Sequence, residues 1–341
     1  MNAGDRIAAA YFLRQTTVRR ARNELSLYTS YHRSRLSGKN LHRGMPASVS
    51  IEPTTACNLG CPECPSGLKK FTRPTGMLKA PLLTALLDEI APTLRHVQFY
   101  FQGEPFIHPQ ITDLFAAADA RGIYTSTSTN AHFISEKKAD DIVRSGLRQM
   151  TVSIDGTTQE VYEQYRIHGR LSKVLEGAKN LAEAKKRAKS PWPLVFFQFL
   201  VVKPNQHQIA EVIKLGAEYG ADDVRFKTAQ VYDYKHGNPL IPTIDKYARY
   251  RKMPDGTYRI KNALLNHCWK MWHSCVLTWD GRVVPCCFDK DASHQLGAFG
   301  EASFREIWKS RAYDEFRAAV LRSRGEIDIC ANCTEGTKVW G

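Results

Sequence analysis

Three cysteines stand within eight residues of one another in this sequence, at Cys57, Cys61 and Cys64. They follow a short apolar run, residues 48–51, which reads as a strand leading into a loop. Three thiolates on one loop can converge on a soft metal centre, and on a four-iron cluster they leave one iron open to a small chelating molecule. The alternative is a zinc site, but structural zinc takes four ligands in two close pairs. Here the fourth ligand would have to come from far away in the sequence.

A second group of cysteines lies near the C-terminus. An Asp-Gly pair at residues 280–281 stands between two short apolar runs, and it predicts a hairpin that brings Cys268 and Cys286 together. Two later cysteines, Cys330 and Cys333, have the C-x-x-C spacing that lets two thiolates bind one cluster. A zinc ribbon is the alternative, although it needs C-x-x-C spacing in both halves and the first half lacks it.

The composition places the chain among metal-binding globular proteins. It has 341 residues, 43% of them hydrophobic, which is enough for one large α/β domain and a smaller one. Its nine cysteines are grouped rather than spread, which in a reducing compartment indicates metal binding. The longest apolar stretch, residues 194–202, is interrupted by Gln198 and is too short to span a bilayer. No signal peptide is evident, so the sequence predicts a cytoplasmic protein.

The elements that must position the first cysteines alternate between strand and helix patterns. Six such steps argue for parallel strands covered by helices, in an open sheet or a barrel. The predicted strands are residues 48–52, 97–101, 124–129, 150–154, 194–202 and 223–227. The predicted helices are residues 5–36, as one or two helices, 81–90, 110–121, 135–145, 158–189, 206–219 and 304–321.

Polar residues follow three of the predicted strands. In α/β folds ligands gather at the carboxyl ends of the strands, so these residues and the cysteine loop would share one rim. Any single group is compatible with ordinary turn chemistry. The groups are Gln102, Gly103, Glu104 and Pro105 after the second strand, Asn130 after the third, and Ser153, Asp155 and Gly156 at the fourth.

The cysteine spacing and the rim residues resemble, in chain order, the motifs of the radical SAM superfamily. The resemblance covers roughly residues 47–228. It implies a partial (β/α)6 barrel in which the open iron binds the amino and carboxylate groups of S-adenosylmethionine. Residues 102–105 resemble the G-G-E-P element, so Gly103 and Glu104 would receive the methionine ammonium. This sequence departs from the pattern at Gln102, in place of the first glycine, and at Glu63, in place of the usual aromatic residue before the third cysteine.

The same resemblance assigns the rest of the cofactor pocket. Ser153 and Asp155 match the position on the fourth strand that commonly holds the ribose or the carboxylate. Asn130 and Arg166 are further candidates, with Arg166 pairing the methionine carboxylate or remaining an ordinary surface arginine. Adenine contacts are expected from the fifth strand around Gln198.

The C-terminal cysteines are similar to the SPASM and twitch extensions of this superfamily. Cys268, Gly281 and Cys286 match the C-x(9–15)-G-x4-C opening of these extensions. Because no cysteine follows Cys333, one auxiliary [4Fe–4S] cluster is expected, which makes two clusters in all. The implied ligands are Cys268, Cys286, Cys330 and Cys333, with Cys275 and Cys287 as neighbouring thiols and Asp289 as a candidate acceptor of the substrate proton.

The net charge of +14 is unevenly distributed, since residues 1–45 hold nine Lys/Arg against two Asp/Glu. We expect residues 1–46 to form a basic helical extension, 47–261 the barrel with a connecting segment, and 262–341 the auxiliary-cluster domain. The extension would suit an anionic membrane surface, which would make the protein peripheral, or an acidic partner. The alternative is a solvated helix packed on the barrel by Tyr11, Val18, Leu25 and Tyr28. Nucleic acid is not favoured, because a basic face with interleaved aromatics is only weakly present.

These resemblances imply a radical SAM enzyme that cleaves S-adenosylmethionine to a 5′-deoxyadenosyl radical, which abstracts a substrate hydrogen. The auxiliary cluster would assist electron transfer, and a reduced flavodoxin- or ferredoxin-like protein would donate electrons. The expected substrate is a peptide or protein side chain, or a sugar or alcohol. The alternative is a non-catalytic iron–sulfur or zinc protein, acting as an electron carrier or a nucleic-acid-binding module, and metal analysis separates these.

Overall fold

The computed structural model describes residues 3–339, which are organised around one nine-stranded sheet. The strands are β1 (Ser48–Ile51), β2 (His96–Phe99), β3 (Tyr124–Thr129), β4 (Gln149–Ser153), β5 (Leu194–Val201), β6 (Asp223–Thr228), β7 (Tyr250–Lys252), β8 (Tyr258–Ile260), β9 (Ser274–Leu277), β10 (Arg282–Val284) and β11 (Gly297–Ala298). The sheet order is β11-β10-β9-β1-β2-β3-β4-β5-β6, and β7 pairs with β8 in a separate hairpin. Strands β1 to β6 are parallel neighbours in chain order, which confirms the predicted α/β partial barrel.

Helices cover the outer face of this sheet because each presents one apolar stripe to it. In the helix Ala80–Ile90, the buried residues Leu83, Leu86, Leu87 and Ile90 recur at helical spacing. The described helices are α1 (Ala3–Arg14), α2 (Val18–Ser37), α3 (Pro65–Leu68), α4 (Ala80–Ile90), α5 (Ile111–Asp119), α6 (Glu136–Arg144), α7 (Gln159–Tyr165), α8 (Leu171–Arg187), α9 (Ile209–Glu218), α10 (Lys270–His273), α11 (Phe304–Trp308), α12 (Arg311–Ser323) and α13 (Asp328–Ala331).

Two stretches predicted to be helical each form two helices. The stretch 158–189 becomes α7 and α8, because the chain turns between Arg166 and Arg170 and the Arg166 side chain forms an ion pair with Asp155. The stretch 304–321 becomes α11 and α12, because Ser310 accepts a hydrogen bond from the Tyr313 amide and starts a new helix. Side chains that form local hydrogen bonds or ion pairs therefore interrupt helices where the apolar periodicity of the sequence is continuous.

The C-terminal hairpin extends the sheet of the barrel. Strand β9 pairs in parallel with β1, with Ser48 opposite Ser274 and Ile51 opposite Leu277. Strand β10 returns antiparallel after Gly281, whose φ of +91° suits glycine. The strand that leads into the first cysteine loop is thus hydrogen-bonded to the hairpin that carries the second cysteine group.

Helices α1 and α2 close the amino-terminal end of the barrel, opposite the cysteine loop. The Phe12 ring stacks on Tyr124, the first residue of β3, at 4.7 Å between centroids. The buried Arg20 guanidinium donates to the carbonyls of Gly122 at 2.7 Å and Ala91 at 3.2 Å, on loops that precede barrel strands. Within the described residues, no helix is long and apolar enough to cross a bilayer.

The predicted packing face of the N-terminal extension is largely wrong. Tyr11 does pack on the barrel, with its ring 5.7 Å from that of Tyr124. The other three residues predicted to pack, Val18, Leu25 and Tyr28, lie on α2 and are solvent-exposed. Helix α2 buries its opposite face instead. A polar stripe made this face hard to recognise, because the buried residues of α2 are Arg20, Asn23, Leu27, Ser30, Tyr31 and Ser34.

Candidate functional site

A cavity of about 640 Å³ opens at the carboxyl ends of the barrel strands. The structure brings most of the predicted barrel-site residues to its wall. Neither Asp155 nor Asp289 lines it. The predicted residues on the wall are Cys57, Cys61, Cys64, Gly103, Glu104, Asn130, Ser153 and Arg166.

The cysteine loop is fixed by contacts with the neighbouring rim loops. Gly103 donates its amide to the Ser66 hydroxyl at 2.8 Å, and Glu104 donates its amide to the Ala56 carbonyl at 2.7 Å. A β-carbon on Gly103 would collide with the carbonyl oxygens of Thr54 and Ala56, so only glycine allows this approach. The rim after β2 and the cysteine loop therefore form one rigid wall of the cavity.

A buried ion pair anchors the far end of the same loop. Arg73 binds Glu52 through two hydrogen bonds of 2.8 and 2.5 Å, and both side chains are almost fully buried. Glu52 also accepts the amide of Trp279, from the turn between β9 and β10, at 3.3 Å. A bidentate pair without water is geometrically demanding, so it fixes the loop against both β1 and the C-terminal hairpin.

The thiols of the loop are held in an environment suited to a metal cluster. Burial, together with the nearby Cys61 and Cys64, raises the pKa of Cys57 to about 12. Burial also raises the pKa of Cys61, while the Arg166 guanidinium, whose Nη1 is 3.7 Å from the sulfur, opposes this shift. Binding of a cluster would favour the thiolate forms of Cys57 and Cys61 against this effect of burial.

The donor set fits an iron–sulfur cluster better than a zinc ion. In the part of the chain that the structure describes, no three His, Cys, Asp or Glu side chains converge closely enough to hold a single metal ion. Three thiols from one loop are the ligand type that iron–sulfur clusters take. The zinc alternative thus lacks a compact ligand set among the described residues.

Glu104 is a fixed hydrogen-bond acceptor on the cavity wall. Its buried carboxylate accepts from the Thr129 hydroxyl and the Asn130 amide, each at 2.7 Å, and from the Phe106 amide at 3.1 Å. Burial raises the pKa of Glu104, and these three donors oppose that rise. A ligand ammonium beside this carboxylate would complete its charge compensation.

Asp155 lies behind the cavity wall, and its contact with the cofactor stays a prediction. Both of its oxygens are occupied inside the protein, one by the Leu200 amide at 2.7 Å and the other by Arg166 Nε at 2.5 Å. The side chain is fully buried, and burial raises its pKa against the influence of Arg166. Asp155 thus pairs with Arg166, whereas Ser153 lies on the cavity wall.

The four predicted auxiliary cysteines lie together between the hairpin and the C-terminal segment. Burial raises the pKa of Cys286, and the nearby thiols of Cys287, Cys268 and Cys330 add to that rise. Arg324 Nη2 lies 3.2 Å from the Cys333 sulfur, and Gly336 lies so close to the Cys268 sulfur that a β-carbon there would collide with it.

The two remaining C-terminal cysteines occupy different places, since Cys275 lies in the core whereas Cys287 lies beside Cys286 and raises its pKa. Cys275 is on β9 in the core, where burial raises its pKa to about 12 beside the Tyr313 hydroxyl. Cys287 follows Cys286 directly but is exposed. Their placement is compatible with the predicted set of four ligands, which stays a prediction.

The candidate proton acceptor Asp289 has a structural environment. Its fully buried carboxylate accepts from the amide and hydroxyl of Ser293, each at 2.8 Å, and from the His294 amide at 2.9 Å. These bonds close the loop after β10 and leave Asp289 off the cavity wall, so its placement gives the catalytic role no support. The next residue, Lys290, does line the cavity.

Sequence reasoning missed the polar interior of the barrel. The side chains below the rim are mainly neutral hydrogen-bonding groups, and only the polar composition of β3 and the Gln198 interruption of β5 pointed to them. Glu63 accepts the Tyr232 amide at 2.9 Å, so it joins the cysteine loop to the segment after β6. The missed residues that line the cavity include His96, Gln98, Tyr100, Ser126, Gln149, Thr151, Arg225, Lys227 and Lys290.

Comparison with known families agrees with this geometry. The family model of the radical SAM superfamily matches residues 51–216, and that of the SPASM iron–sulfur cluster-binding domain matches residues 268–334. A PqqA peptide cyclase of Gluconobacter oxydans is 26% identical over 325 residues, covering 87% of this chain and 85% of that protein.

Solved structures share the fold at low sequence identity. Streptococcus suis SuiB bound to precursor peptide SuiA has a TM-score of 0.61 at 16% identity, over 81% of this chain and 67% of that chain. BtrN in complex with AdoMet and 2-DOIA has a TM-score of 0.55 at 18% identity, over 85% of this chain and 94% of that chain.

Proposed function

The chain belongs to the radical SAM superfamily and carries a SPASM-type extension, and on that premise we propose that it modifies a peptide side chain after hydrogen abstraction. It is a radical SAM enzyme, with [4Fe–4S] clusters and S-adenosylmethionine as cofactors. When bound and reduced, these cofactors supply a 5′-deoxyadenosyl radical. The observation that carries the proposal is that Cys57, Cys61, Cys64, Glu104 and Arg166 face one cavity.

The residues of the cavity have separate roles in this proposal. The three loop cysteines hold the first cluster and leave one iron open. Glu104 receives the methionine ammonium, with Gly103 and Asn130 forming the wall beside it, and Arg166 receives the carboxylate. Ser153 contacts the ribose, and Asp155 orients Arg166 at 2.5 Å. The pre-formed wall would hold the cofactor in one orientation.

The auxiliary group has a different role, because its cysteines surround the cluster they would hold. Cys268, Cys286, Cys330 and Cys333 supply four ligands, so no iron is left for substrate and the cluster assists electron transfer. A reduced flavodoxin- or ferredoxin-like protein is the proposed electron donor. We retain the division into residues 1–46, 47–261 and 262–341, although β9 hydrogen-bonds directly to β1 across the last boundary.

A peptide is the substrate class that the relatives and the cavity favour. PqqA peptide cyclase resembles this chain over most of both lengths, and the SuiB fold is seen with a peptide bound. The cavity also reaches the edge strand β6, where Arg225 and Lys227 line it and are exposed, so an extended chain can enter from the side. The second candidate is a small polyol-like alcohol, which the neutral polar lining of the barrel favours.

The test has two stages that separate the reaction from its substrate. Anaerobically reconstituted protein with dithionite and S-adenosylmethionine should form 5′-deoxyadenosine, and the triple variant Cys57→Ala/Cys61→Ala/Cys64→Ala should form none. Peptides encoded by short reading frames beside this gene are then added. A change in peptide mass that needs the three cysteines supports the peptide proposal. Formation of 5′-deoxyadenosine without any such change, but with oxidation of an added alcohol, would replace it by the second candidate.

A further inference from the structure

The outer face of helix α2 exposes apolar side chains that no described residue covers. Val18 is 75% exposed, Leu25 63% and Leu36 87%. These residues are separated by 7 and 11 positions, which place them on one side of a helix. The opposite side buries Arg20 and Leu27 against the barrel. The helix is therefore held firmly by one face and presents large apolar groups to solvent on the other.

The charges on the exposed part of α2 all have one sign. Its exposed charged residues are arginines, and its one acid, Glu24, is half-buried and pairs with Arg95 at 3.2 Å. Among the described residues, these arginines have no carboxylate within ion-pair distance. An ordinary solvated helix face mixes both signs and carries few large apolar groups. The exposed arginines are Arg19, Arg22, Arg33 and Arg35.

We propose that the outer face of α2, defined by Val18, Leu25, Leu36 and the four arginines, binds an anionic lipid surface. A bilayer interface offers negative headgroups directly above an apolar layer, and this face has matching groups side by side. Nucleic acid offers phosphates without an apolar layer, and a second copy of the chain would bring the arginines against each other. The lipid surface is thus the occupant that satisfies both features.

This contact also orients the enzyme. Helix α2 sits on the loops that precede the barrel strands, because Arg20 donates to the carbonyls of Gly122 and Ala91. The cavity opens at the other ends of those strands. A protein held on a membrane by α2 therefore presents its cavity to the aqueous side, where a substrate and an electron donor can reach it.

The test measures flotation of the reconstituted full chain with vesicles. Phosphatidylcholine vesicles are compared with vesicles that also contain phosphatidylserine. We expect binding only to the anionic vesicles, with a steep decrease as salt is raised. Arg19→Gln/Arg22→Gln/Arg33→Gln should weaken binding roughly 100-fold, from the usual contribution of basic residues at such surfaces. Leu25→Gln/Leu36→Gln should also weaken it, at every salt concentration.

A matched control removes three exposed charges from the β7–β8 hairpin, as Arg251→Gln/Lys252→Gln/Arg259→Gln, and should leave binding unchanged. All variants should keep the iron content and the 5′-deoxyadenosine formation of the parent, which shows that they are folded. Equal flotation of the parent and the arginine variant would overturn the proposal. Binding that depends on the arginines but not on Leu25 and Leu36 would also overturn it, in favour of a purely electrostatic partner. Loss of a dimer in the leucine variant, detected by sedimentation, would assign the face to a second copy.

Discussion

The two cysteine groups of this protein are built in opposite ways. The first comes from one loop, and its thiols line an open cavity of about 640 Å³. The second is assembled from three separate segments of chain, and Cys268, Cys330 and Cys333 in it are buried. A loop with three ligands leaves space beside the metal for a small molecule, whereas four ligands from several directions enclose it. Under the proposed function, this difference would separate a site for binding and reaction from a site for electron transfer.

Each group also has one arginine against a sulfur, and the two arginines are held differently. Arg166 is oriented by Asp155 and lines the cavity, with its Nη1 3.7 Å from Cys61. Arg324 lies closer to its sulfur, at 3.2 Å from Cys333, and donates to the His267 carbonyl at 3.0 Å. Arg166 can therefore serve a ligand, while Arg324 is tied to the protein and can only influence the metal.

Removing the cysteine ligands of each group should have the largest effect on iron content and activity. The result tests whether the two groups have different roles. Cys57→Ala/Cys61→Ala/Cys64→Ala and Cys330→Ala/Cys333→Ala should each lose about four of about eight irons. Only the first should abolish 5′-deoxyadenosine formation, measured without added substrate, because the open site alone binds S-adenosylmethionine. Cys287→Ala is the control, since its thiol is exposed. Equal loss of activity in both multiple variants would contradict the separation of roles.

The second largest effect should come from the buried ion pair between Glu52 and Arg73, which should contribute strongly to the free energy of unfolding. Glu52→Gln leaves the buried Arg73 without its counter-charge, which typically costs about 3–5 kcal/mol. Glu315→Gln, in the exposed pair with Arg311, removes the same charge and should have no measurable effect. Denaturant unfolding of both variants provides the comparison. A Glu52→Gln midpoint equal to that of Glu315→Gln would mean that the pair does not hold the loop.

Sequence reasoning predicted the surroundings of the first cysteine group more completely than those of the second, for a physical reason. Cys57, Cys61 and Cys64 are close in sequence, and the strand-to-loop pattern already places Glu104 on the same rim. The parallel pairing of β9 with β1 joins segments more than 200 positions apart, and no local pattern in either strand specifies it.

The remaining differences from the expectations concern which partner a side chain finds. The ion pair of Asp155 with Arg166 and the burial of Asp289 depend on loops that meet only in the folded chain. The packing face of α2 was misjudged because its buried stripe includes Arg20 and Asn23, whose hydrogen bonds replace apolar contacts. Apolar patterning cannot detect a face that is buried through polar groups.

The role of Glu104 sharpens the comparison at the open site. Glu104→Gln should keep both clusters and weaken S-adenosylmethionine binding about 10-fold, the value of one charge-assisted hydrogen bond. Because burial raises the pKa of Glu104, the carboxylate gains a proton at a higher pH than an exposed glutamate does. Binding by the parent should therefore weaken as the pH falls through that raised pKa. The Gln variant should lack this dependence, and an identical pH profile in equilibrium titrations would remove Glu104 from the site.

The smallest effect should come from replacing Arg324, the arginine beside the C-terminal cysteine group. Arg324→Gln removes an N–H group that lies 3.2 Å from the Cys333 sulfur and a positive charge beside the cluster. The N–H group and the positive charge of Arg324 both stabilise the reduced, more negative state of the cluster. Their loss should therefore make the reduction potential of the auxiliary cluster more negative by roughly 30 mV, which is about a threefold change in a one-electron equilibrium. Arg322→Gln, an exposed neighbour on α12, should leave the potential unchanged.

The corresponding change at the open site should act on the ligand instead. Arg166→Gln should weaken S-adenosylmethionine binding, because Arg166 lines the cavity and its contact with the Cys61 sulfur is the longer of the two. Redox titration followed by EPR measures both clusters, and equilibrium titration measures the affinity. If Arg324→Gln changed the affinity for S-adenosylmethionine while Arg166→Gln changed only a potential, the assignment of binding to one site and electron transfer to the other would be reversed.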